Sequence, residues 1–169
     1  MVQSHSSHLL TGAAAGFMAT VPMSVAMMIM HKLLPPHEQY PLPPREITEE
    51  MAEKAGIEEE MTESEQTAAT VVSHFAYGAA VGALYATVAG KMPVSPALDG
   101  AIFGLGVWAG SYLGWLPAMG ILRPATEHPA RRNALMITAH LIWGSTTGIL
   151  VDQFEQQRHA DGRERREGF

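Results

Sequence analysis

The sequence has no cysteine among its 169 residues, and only 17% of its residues are charged. The lack of cysteine excludes disulfides, thiolate metal sites and cysteine nucleophiles, and it leaves soft-metal chemistry to methionine and histidine. No secretory signal is evident, because residues 1–8 lack Lys and Arg and the following apolar run is too long for a cleaved signal core. We therefore expect the first apolar run to remain as a membrane helix.

Charge is absent from four long stretches of the chain. All 28 Lys, Arg, Asp and Glu side chains lie outside residues 9–30, 67–90, 100–122 and 133–151. A run of this length crosses the ~30 Å hydrocarbon layer as a helix, whereas barrel strands would be about half as long and would alternate. The sequence predicts an all-α, integral membrane four-helix bundle. It forms one four-span domain over residues 1–152, followed by a polar charged tail at residues 153–169.

The connection between the first two spans, residues 31–66, is strongly acidic. It holds ten Glu against Lys32, Arg45 and Lys54, and the rest of the chain is close to neutral. No basic face exists to neutralise phosphates, which excludes nucleic acid as a partner. Within this loop we expect a proline-rich extended exit, a short polar helix over residues 46–54, and a capping box between Thr62 and Glu65 that starts the second span.

The orientation of the chain is decided only weakly by its charges. The two loops on one side of the predicted bundle carry six basic residues, and the opposite side carries five. This difference does not settle a positive-inside assignment. Because the Arg-rich tail is free and polar, we expect cytoplasmic termini.

An internal duplication emerges when the chain is aligned with itself. At an offset of 88 residues Gly12 and Gly16 fall on Gly100 and Gly104, and at an offset of 66 residues His74 falls on His140. The sequence therefore predicts two similar helical hairpins, related by an axis along the membrane normal.

Glycines four residues apart recur in the predicted spans. Such pairs share one helical face and let a second backbone approach closely where lipid offers no hydrophobic drive. We expect helix packing through these glycines, within the chain or in a homo-oligomer or larger membrane complex embedded in the lipid bilayer. The residues are Gly12, Gly16, Gly78, Gly82, Gly100, Gly104, Gly144 and Gly148.

Two histidines lie inside predicted spans, at equal depth in equivalent helices. An imidazole in the membrane is costly and usually faces the bundle interior. Facing imidazoles of His74 and His140 could ligate a b-type haem. The competing interpretation is a pair of structural histidines bonded to neighbouring helices, and glycine ridges favour it because they draw helices together.

A second candidate site combines His31 with Met23, Met27 and Met30, which recur at helical spacing just before it. Thioethers at this spacing could hold Cu(I). Methionine in such a stripe more commonly serves as adaptable packing.

Enzymatic chemistry has little support, because no nucleophile motif, phosphate loop or paired intramembrane carboxylate is present. A small transport-type protein remains an alternative, and it predicts a polar cavity formed by hydroxyl groups of the spans. These belong to Thr11, Thr20, Ser24, Ser73, Tyr77, Ser111, Tyr112, Thr138, Ser145 and Thr146.

Four short motifs carry a resemblance to a known family. They are residues 41–45 (PLPPR), His74, residues 123–124 (RP) and residues 140–143 (HLIW). With these motifs the chain resembles the YagU-like family of uncharacterised bacterial inner-membrane proteins. The resemblance implies a helical bundle in a bacterial inner membrane and no particular reaction. The leading functional hypothesis is an accessory or scaffold subunit, with haem electron transfer and small-molecule transport as alternatives.

Overall fold

The computed structural model describes the backbone of residues 2–167 and the side chains of residues 7–160. This part of the chain contains helices and no strand, so the all-α class is confirmed. The main helices are α1 (Val2–Lys32), α2 (Pro43–Lys54), α3 (Glu63–Ala86), α4 (Pro96–Ala109) and α5 (Ala130–Glu167). A π-helical segment, Gly110–Trp115, and a single turn, Leu116–Ala118, continue α4. Three short 3₁₀ turns lie in the connections, at Pro36–Glu38, Glu58–Glu60 and Ala125–Glu127.

Three helices in the described residues are long and apolar enough to cross a membrane: Ser7–Lys32, Glu63–Ala86 and Ala130–Ala160. The fourth predicted span, residues 100–122, is not one regular helix. Pro117 has no N–H to bond the carbonyl of Leu113, and Gly114 departs from helical geometry with φ −114° and ψ −107°. The regular helix therefore ends at Ala109, and the helical path ends at Ala118.

The acidic loop contains the local elements that its sequence predicts. The short helix α2 is present and begins at Pro43, because proline suits the first turn of a helix. Gly56 follows its end with φ 71°, in the left-handed region. The capping box is confirmed, since the Glu65 N–H donates to the Thr62 hydroxyl (3.3 Å) and the Thr62 N–H donates to the Glu65 carboxylate (2.8 Å).

Helices α1 and α3 pack antiparallel through their glycines. A Cβ added at Gly16 would overlap the carbonyl oxygen of Gly78 and lie 2.8 Å from the Cα of Gly82. A Cβ at Gly12 would overlap the carbonyl oxygen of Gly82. The two backbones are thus in direct contact, which only glycine permits at these positions.

Helices α4 and α5 form a second contact of the same kind, in a different register. Gly100 lies against Gly144, and Gly104 lies against the carbonyl of His140. The sequence offsets make Gly144 equivalent to Gly78, whose partner in the first hairpin is Gly16 rather than Gly12. The second crossing is therefore displaced by four residues, about 6 Å along the helix at 1.5 Å per residue.

Helix α1 joins the two hairpins by packing against α5. The Trp143 indole N–H donates to the carbonyl of Gly16 (3.1 Å) in the buried interior. Near the chain ends, Arg158 donates to the Thr11 hydroxyl (3.0 Å), and His8 lies 2.9 Å from Glu155. Large apolar side chains on the outward faces stay exposed, as lipid contact requires. They include Val21, Val72, Ile102 and Ile149.

Candidate functional site

A cavity of about 190 Å³ lies where α2, α3 and the π-helical segment meet. Each of these elements contributes part of its wall. The lining residues are Pro44, Ile47, Ser73, His74, Tyr77, Ser111, Tyr112, Trp115 and Leu116. None of them is Asp, Glu, Lys or Arg, so the cavity suits a neutral occupant.

The π-helical segment Gly110–Trp115 shapes one wall of this cavity. Its wider turn buries Ser111 and Tyr112 and leaves Trp115 partly exposed. Single-turn π segments within α-helices are rare and occur frequently at functional sites. In this chain the segment lies just before Pro117, so the proline break and the cavity wall belong to one local structure.

His74 lines the cavity, and one of its ring nitrogens has no hydrogen-bond partner in the part of the chain that the structure describes. Its Nε2 is buried and makes no hydrogen bond with any described residue. A buried, unpaired polar atom costs about 1–3 kcal/mol. Nearby, the hydroxyl of Tyr77 and the hydroxyl of Ser111 lie 3.2 Å apart and bond to each other. The cavity therefore combines largely apolar walls with the hydrogen-bonded hydroxyls of Tyr77 and Ser111.

Only some of the hydroxyl groups that were predicted to line a transport cavity lie together in the structure. Ser73, Tyr77, Ser111 and Tyr112 do line this cavity. Thr11, Thr20 and Ser24 instead donate to carbonyls four residues earlier in their own helix. Thr138, Ser145 and Thr146 lie on α5, and Thr138 is exposed. Four of the ten predicted groups are thus brought together.

His140, the second histidine of the haem hypothesis, is engaged elsewhere. Its Nδ1–H donates to the carbonyl of Met136 (2.8 Å), and its ring meets Tyr112 edge-on with centroids 5.8 Å apart. Tyr112 also lines the cavity next to His74. Pockets for drug-sized ligands measure about 300–1,000 Å³. The cavity beside His74 is smaller than this, so the present packing does not accommodate a haem.

The methionines of the second candidate site belong to the core. Met23 and Met27 are 5% and 2% exposed and pack with Tyr112, Met136 and Trp143. Met30 packs against the same cluster. The Nε2–H of His31 donates to the carbonyl of Tyr40 (3.0 Å). Within the described side chains, no group of three or more His, Asp or Glu is placed to hold a metal ion.

Helix α2 covers the cavity and is fastened to the start of α3 by Arg45. The guanidinium bonds Glu63 at 2.9 and 3.0 Å and also pairs with Glu49. These interactions, the Glu63 hydrogen bond foremost, raise the pKa of Arg45. Sequence patterning alone predicts a short polar helix here and no contact with the spans, because α2 is rich in Glu and its apolar residues are few.

A buried arginine fastens the other end of the same loop. Arg132 is 4% exposed and donates to the carbonyls of Glu38 (3.0 Å), Tyr40 (2.9 Å) and Pro41 (2.7 Å). Its guanidinium lies 3.5 Å from the centre of the Tyr40 ring. The proline-rich exit needs this donor, because its extended carbonyls have no helical partner.

His128 stands beside this arginine and contacts the Tyr40 side chain. Its Nδ1 lies 2.8 Å from the Tyr40 hydroxyl. Burial lowers the pKa of His128, and the charges of Arg123 and Arg132 lower it further against the opposing effects of the Arg123 backbone bond and Glu127. The neutral imidazole is therefore favoured in the folded protein.

The burial of one carboxylate, that of Asp99, was not predicted from the sequence, because Asp99 lies one residue before the uncharged span 100–122. Asp99 is 4% exposed in α4 and accepts hydrogen bonds from the Tyr85 hydroxyl (2.9 Å) and the Gly90 N–H (3.2 Å). It ties α3, the following turn and α4 together at the end of the bundle opposite α2. Its oxygen is thus used in holding the fold.

Comparison with known families identifies the family of this chain. Residues 24–149 match the family described as a protein of unknown function, DUF1440. The chain belongs to this family. The matched region of this DUF1440 protein contains every residue that lines the cavity. Comparisons with curated proteins and with solved structures found no match.

Proposed function

We propose that this DUF1440 protein is a small transport-type protein that crosses a bacterial inner membrane four times and binds a small neutral molecule in the cavity beside His74. The motifs shared with YagU-like proteins support the bacterial inner membrane. The fourth crossing would be residues 96–118. Ile102, Leu105 and Leu113 of this segment are exposed apolar residues, and its first two glycines, Gly100 and Gly104, contact α5.

Two duplicated hairpins are the architecture we infer for these spans. In each hairpin two antiparallel helices meet at paired glycines. Tyr40 and His128 are 88 residues apart, the same offset that relates α1 to α4, and their side chains contact each other. Equivalent residues meet in this way near a two-fold axis, which supports a pseudo-two-fold along the membrane normal. Four crossings put both termini on one side, and the arginines of the tail favour the cytoplasm.

The observation that carries the transport-type function is the cavity itself. It lies beside a π-helical break, is covered by an extramembrane helix and has no charged residue in its lining. The scaffold hypothesis has less support, because the eight glycines that suggested it all contact neighbouring residues within this chain. The haem hypothesis has less support because of the cavity's size and the engagement of His140.

Small-molecule extraction tests the proposal. The protein is purified from native membrane in nanodiscs, and bound molecules are extracted and identified by mass spectrometry. We expect the unaltered protein to retain a small molecule that Ser111→Leu, which fills the cavity, does not retain. Gly110→Leu is the matched control, because it adds the same side chain one residue away, where a Cβ has no heavy atom within 4 Å.

Ser73→Leu provides a second filling variant, at an exposed lining position that tolerates added bulk. Retention of the same molecules by unaltered protein and by both filling variants would contradict the proposal.

A further inference from the structure

We infer that the cavity beside His74 opens sideways into the bilayer and takes up small apolar molecules that are dissolved in the lipid. This inference rests on the proposed function, and it names the class of the ligand and the side from which the ligand enters. Three properties of the site lead to it: the place where the cavity is open, the surface around that opening, and the hydrogen bonds that the lining residues already make.

The cavity is open between α3 and the π-helical segment. Ser73 and Tyr77 of α3 and Trp115 of the π-helical segment line the cavity and are exposed, Tyr77 and Trp115 by 42% each. The rings of Tyr77 and Trp115 lie with their centroids 6.4 Å apart. Tyr112 and Leu116, which also line the cavity, are buried. We call the opening at Ser73, Tyr77 and Trp115 the lateral mouth.

Helix α2 lies between the cavity and the water on the side of the acidic loop. Its residues Pro44 and Ile47 line the cavity and are only partly exposed. One turn of α2 also touches the edge of the lateral mouth, because the hydroxyl of Thr48 lies 3.4 Å from the hydroxyl of Ser73. A molecule that approaches from this water therefore meets α2, whereas the lateral mouth is left open.

The surface around the lateral mouth has the character of a lipid-facing surface. On α3 the exposed apolar residues Val72 and Leu84 lie before and after Tyr77, and Leu113 is exposed beside Trp115. Residues 67–90 and 100–122 contain no Asp, Glu, Lys or Arg. At 1.5 Å per residue, Tyr77 lies about 15 Å along α3 from the start of its uncharged run. The hydrocarbon layer is ~30 Å thick, so the mouth faces lipid chains when α3 crosses the membrane.

The hydrogen bonds of the lining favour an apolar ligand. Of its four hydroxyl groups, those of Tyr77 and Ser111 bond to each other (3.2 Å), and that of Ser73 donates to the carbonyl of Thr70 (3.2 Å). A polar ligand would compete with these bonds, and a charged ligand would be desolvated without a countercharge. An apolar molecule meets neither cost. Because it is already out of water in the bilayer, its affinity for the cavity comes from packing.

Photolabelling with two matched probes tests the class of the ligand. The apolar probe is phenyl(trifluoromethyl)diazirine, and the second probe carries a carboxylate on the same phenyl ring. Each probe is added to the unaltered full chain in nanodiscs and activated by light, and labelled residues are identified by mass spectrometry. The measured quantity is the ratio of labelling at Leu116, buried in the cavity wall, to labelling at Leu135, buried in the core outside the lining.

We expect the apolar probe to label Leu116 well above Leu135. The carboxylate probe should give a ratio that is lower by at least about tenfold, because its charge has no partner in the cavity. Ser111→Leu, which fills the cavity, should lower the ratio for the apolar probe, and Gly110→Leu should leave that ratio unchanged.

Collisions of a nitroxide label with oxygen and with a neutral nickel chelate test the position of the mouth. Oxygen concentrates in the bilayer, and the chelate stays in water. In this cysteine-free chain, Ser73→Cys places the label at the lateral mouth, and the matched control Ser64→Cys places it between Glu63 and Glu65 at the start of the same helix. We expect the ratio of oxygen collisions to chelate collisions to be severalfold higher at position 73 than at position 64.

The outcomes separate this inference from the function on which it rests. A carboxylate probe that labels Leu116 as strongly as the apolar probe does would overturn the apolar class and leave a small-molecule cavity in place. A label at Ser73 that meets the chelate as often as the label at Ser64 would overturn entry from the bilayer and likewise leave the cavity. Labelling of Leu116 no stronger than that of Leu135 with both probes would overturn both the inference and the proposed function.

Discussion

A single added methyl group tests the close helix contact on which the fold depends. In Gly16→Ala the new Cβ would overlap the carbonyl oxygen of Gly78 and lie 2.8 Å from the Cα of Gly82. Nonbonded carbons prefer about 3.5–4.0 Å, so α1 and α3 must separate by close to 1 Å. A gap of that size forfeits a quarter to a half of each dispersion contact along the interface.

The expected free-energy change follows from opposing effects. Overpacking of this kind costs about 1–3 kcal/mol, and backbone neighbours that cannot rotate away favour the upper end. Alanine is the better helix former by about 0.5–1 kcal/mol, which offsets part of the cost. We therefore expect Gly16→Ala to lower the free energy of unfolding by about 2 kcal/mol.

Gly106→Ala is the matched control, because its Cβ would have no heavy atom within 4 Å. Only the helix-propensity gain applies there, so we expect no loss and a gain of up to about 1 kcal/mol. Equilibrium unfolding by sodium dodecyl sulfate in mixed micelles measures both variants. Equal stability of the two variants would refute the direct contact between α1 and α3.

Other parts of the fold yield equally direct outcomes. Arg132→Met leaves the carbonyls of Glu38 and Pro41 without their donor and should lower the free energy of unfolding by about 2–6 kcal/mol, at about 1–3 kcal/mol for each carbonyl. The exposed Arg131→Met should cost under about 1 kcal/mol. Because burial lowers the pKa of His128, the neutral imidazole stabilises the folded protein fully above about pH 6.5, and this stabilisation is lost as the pH falls through the lowered pKa. Between about pH 7 and pH 5, the free energy of unfolding should therefore fall less in His128→Gln than in the unaltered protein. Single cysteines at Val94 and Thr126 should be labelled by an impermeant maleimide from opposite sides of the membrane; labelling from one side would mean that residues 96–118 do not cross.

The large-scale plan of this fold is predictable from the positions of its charges. The absence of charge from residues 9–30, 67–90 and 133–151 locates three helices that are long and apolar enough to span, and these overlap the observed ones closely. Capping chemistry is equally local, which is why Thr62 and Glu65 could be assigned from spacing alone. The spacing of the glycines indicated which face of each helix carries small residues.

The pairing and register of the helices could not be read in the same way. Spacing does not tell whether Gly144 opposes Gly100 or Gly104, because both choices place small residues together. The one-turn displacement between the hairpins depends on tertiary packing of all four helices. Likewise Pro117 predicts a break in the helix. It does not predict that the residues before the break, including Ser111 and Tyr112, form a π-helical segment that lines a cavity.

Residues of the acidic loop were the hardest to place, because their roles depend on distant partners. Pro44 and Ile47 line the cavity because α2 packs against α3, and the pair of Arg45 with Glu63, 18 residues along the chain, is one contact between the two helices. Arg132 is sequestered because carbonyls about 90 residues away converge on it. From the sequence pattern alone, charged side chains such as these arginines are expected to face solvent. Their hydrogen-bond partners are distant in the sequence and become neighbours only in the folded protein.

The central claim is that the cavity beside His74 admits small neutral molecules into the folded protein. The cysteine-free chain allows a direct measurement with two buried positions, Ser111, 4% exposed and lining the cavity, and Thr147, 1% exposed and bonded to the carbonyl of Trp143. We predict that methyl methanethiosulfonate, a small neutral thiol reagent, modifies Ser111→Cys in the folded protein and leaves Thr147→Cys unmodified. Resistance of both cysteines, or equal reactivity of both, would contradict the claim.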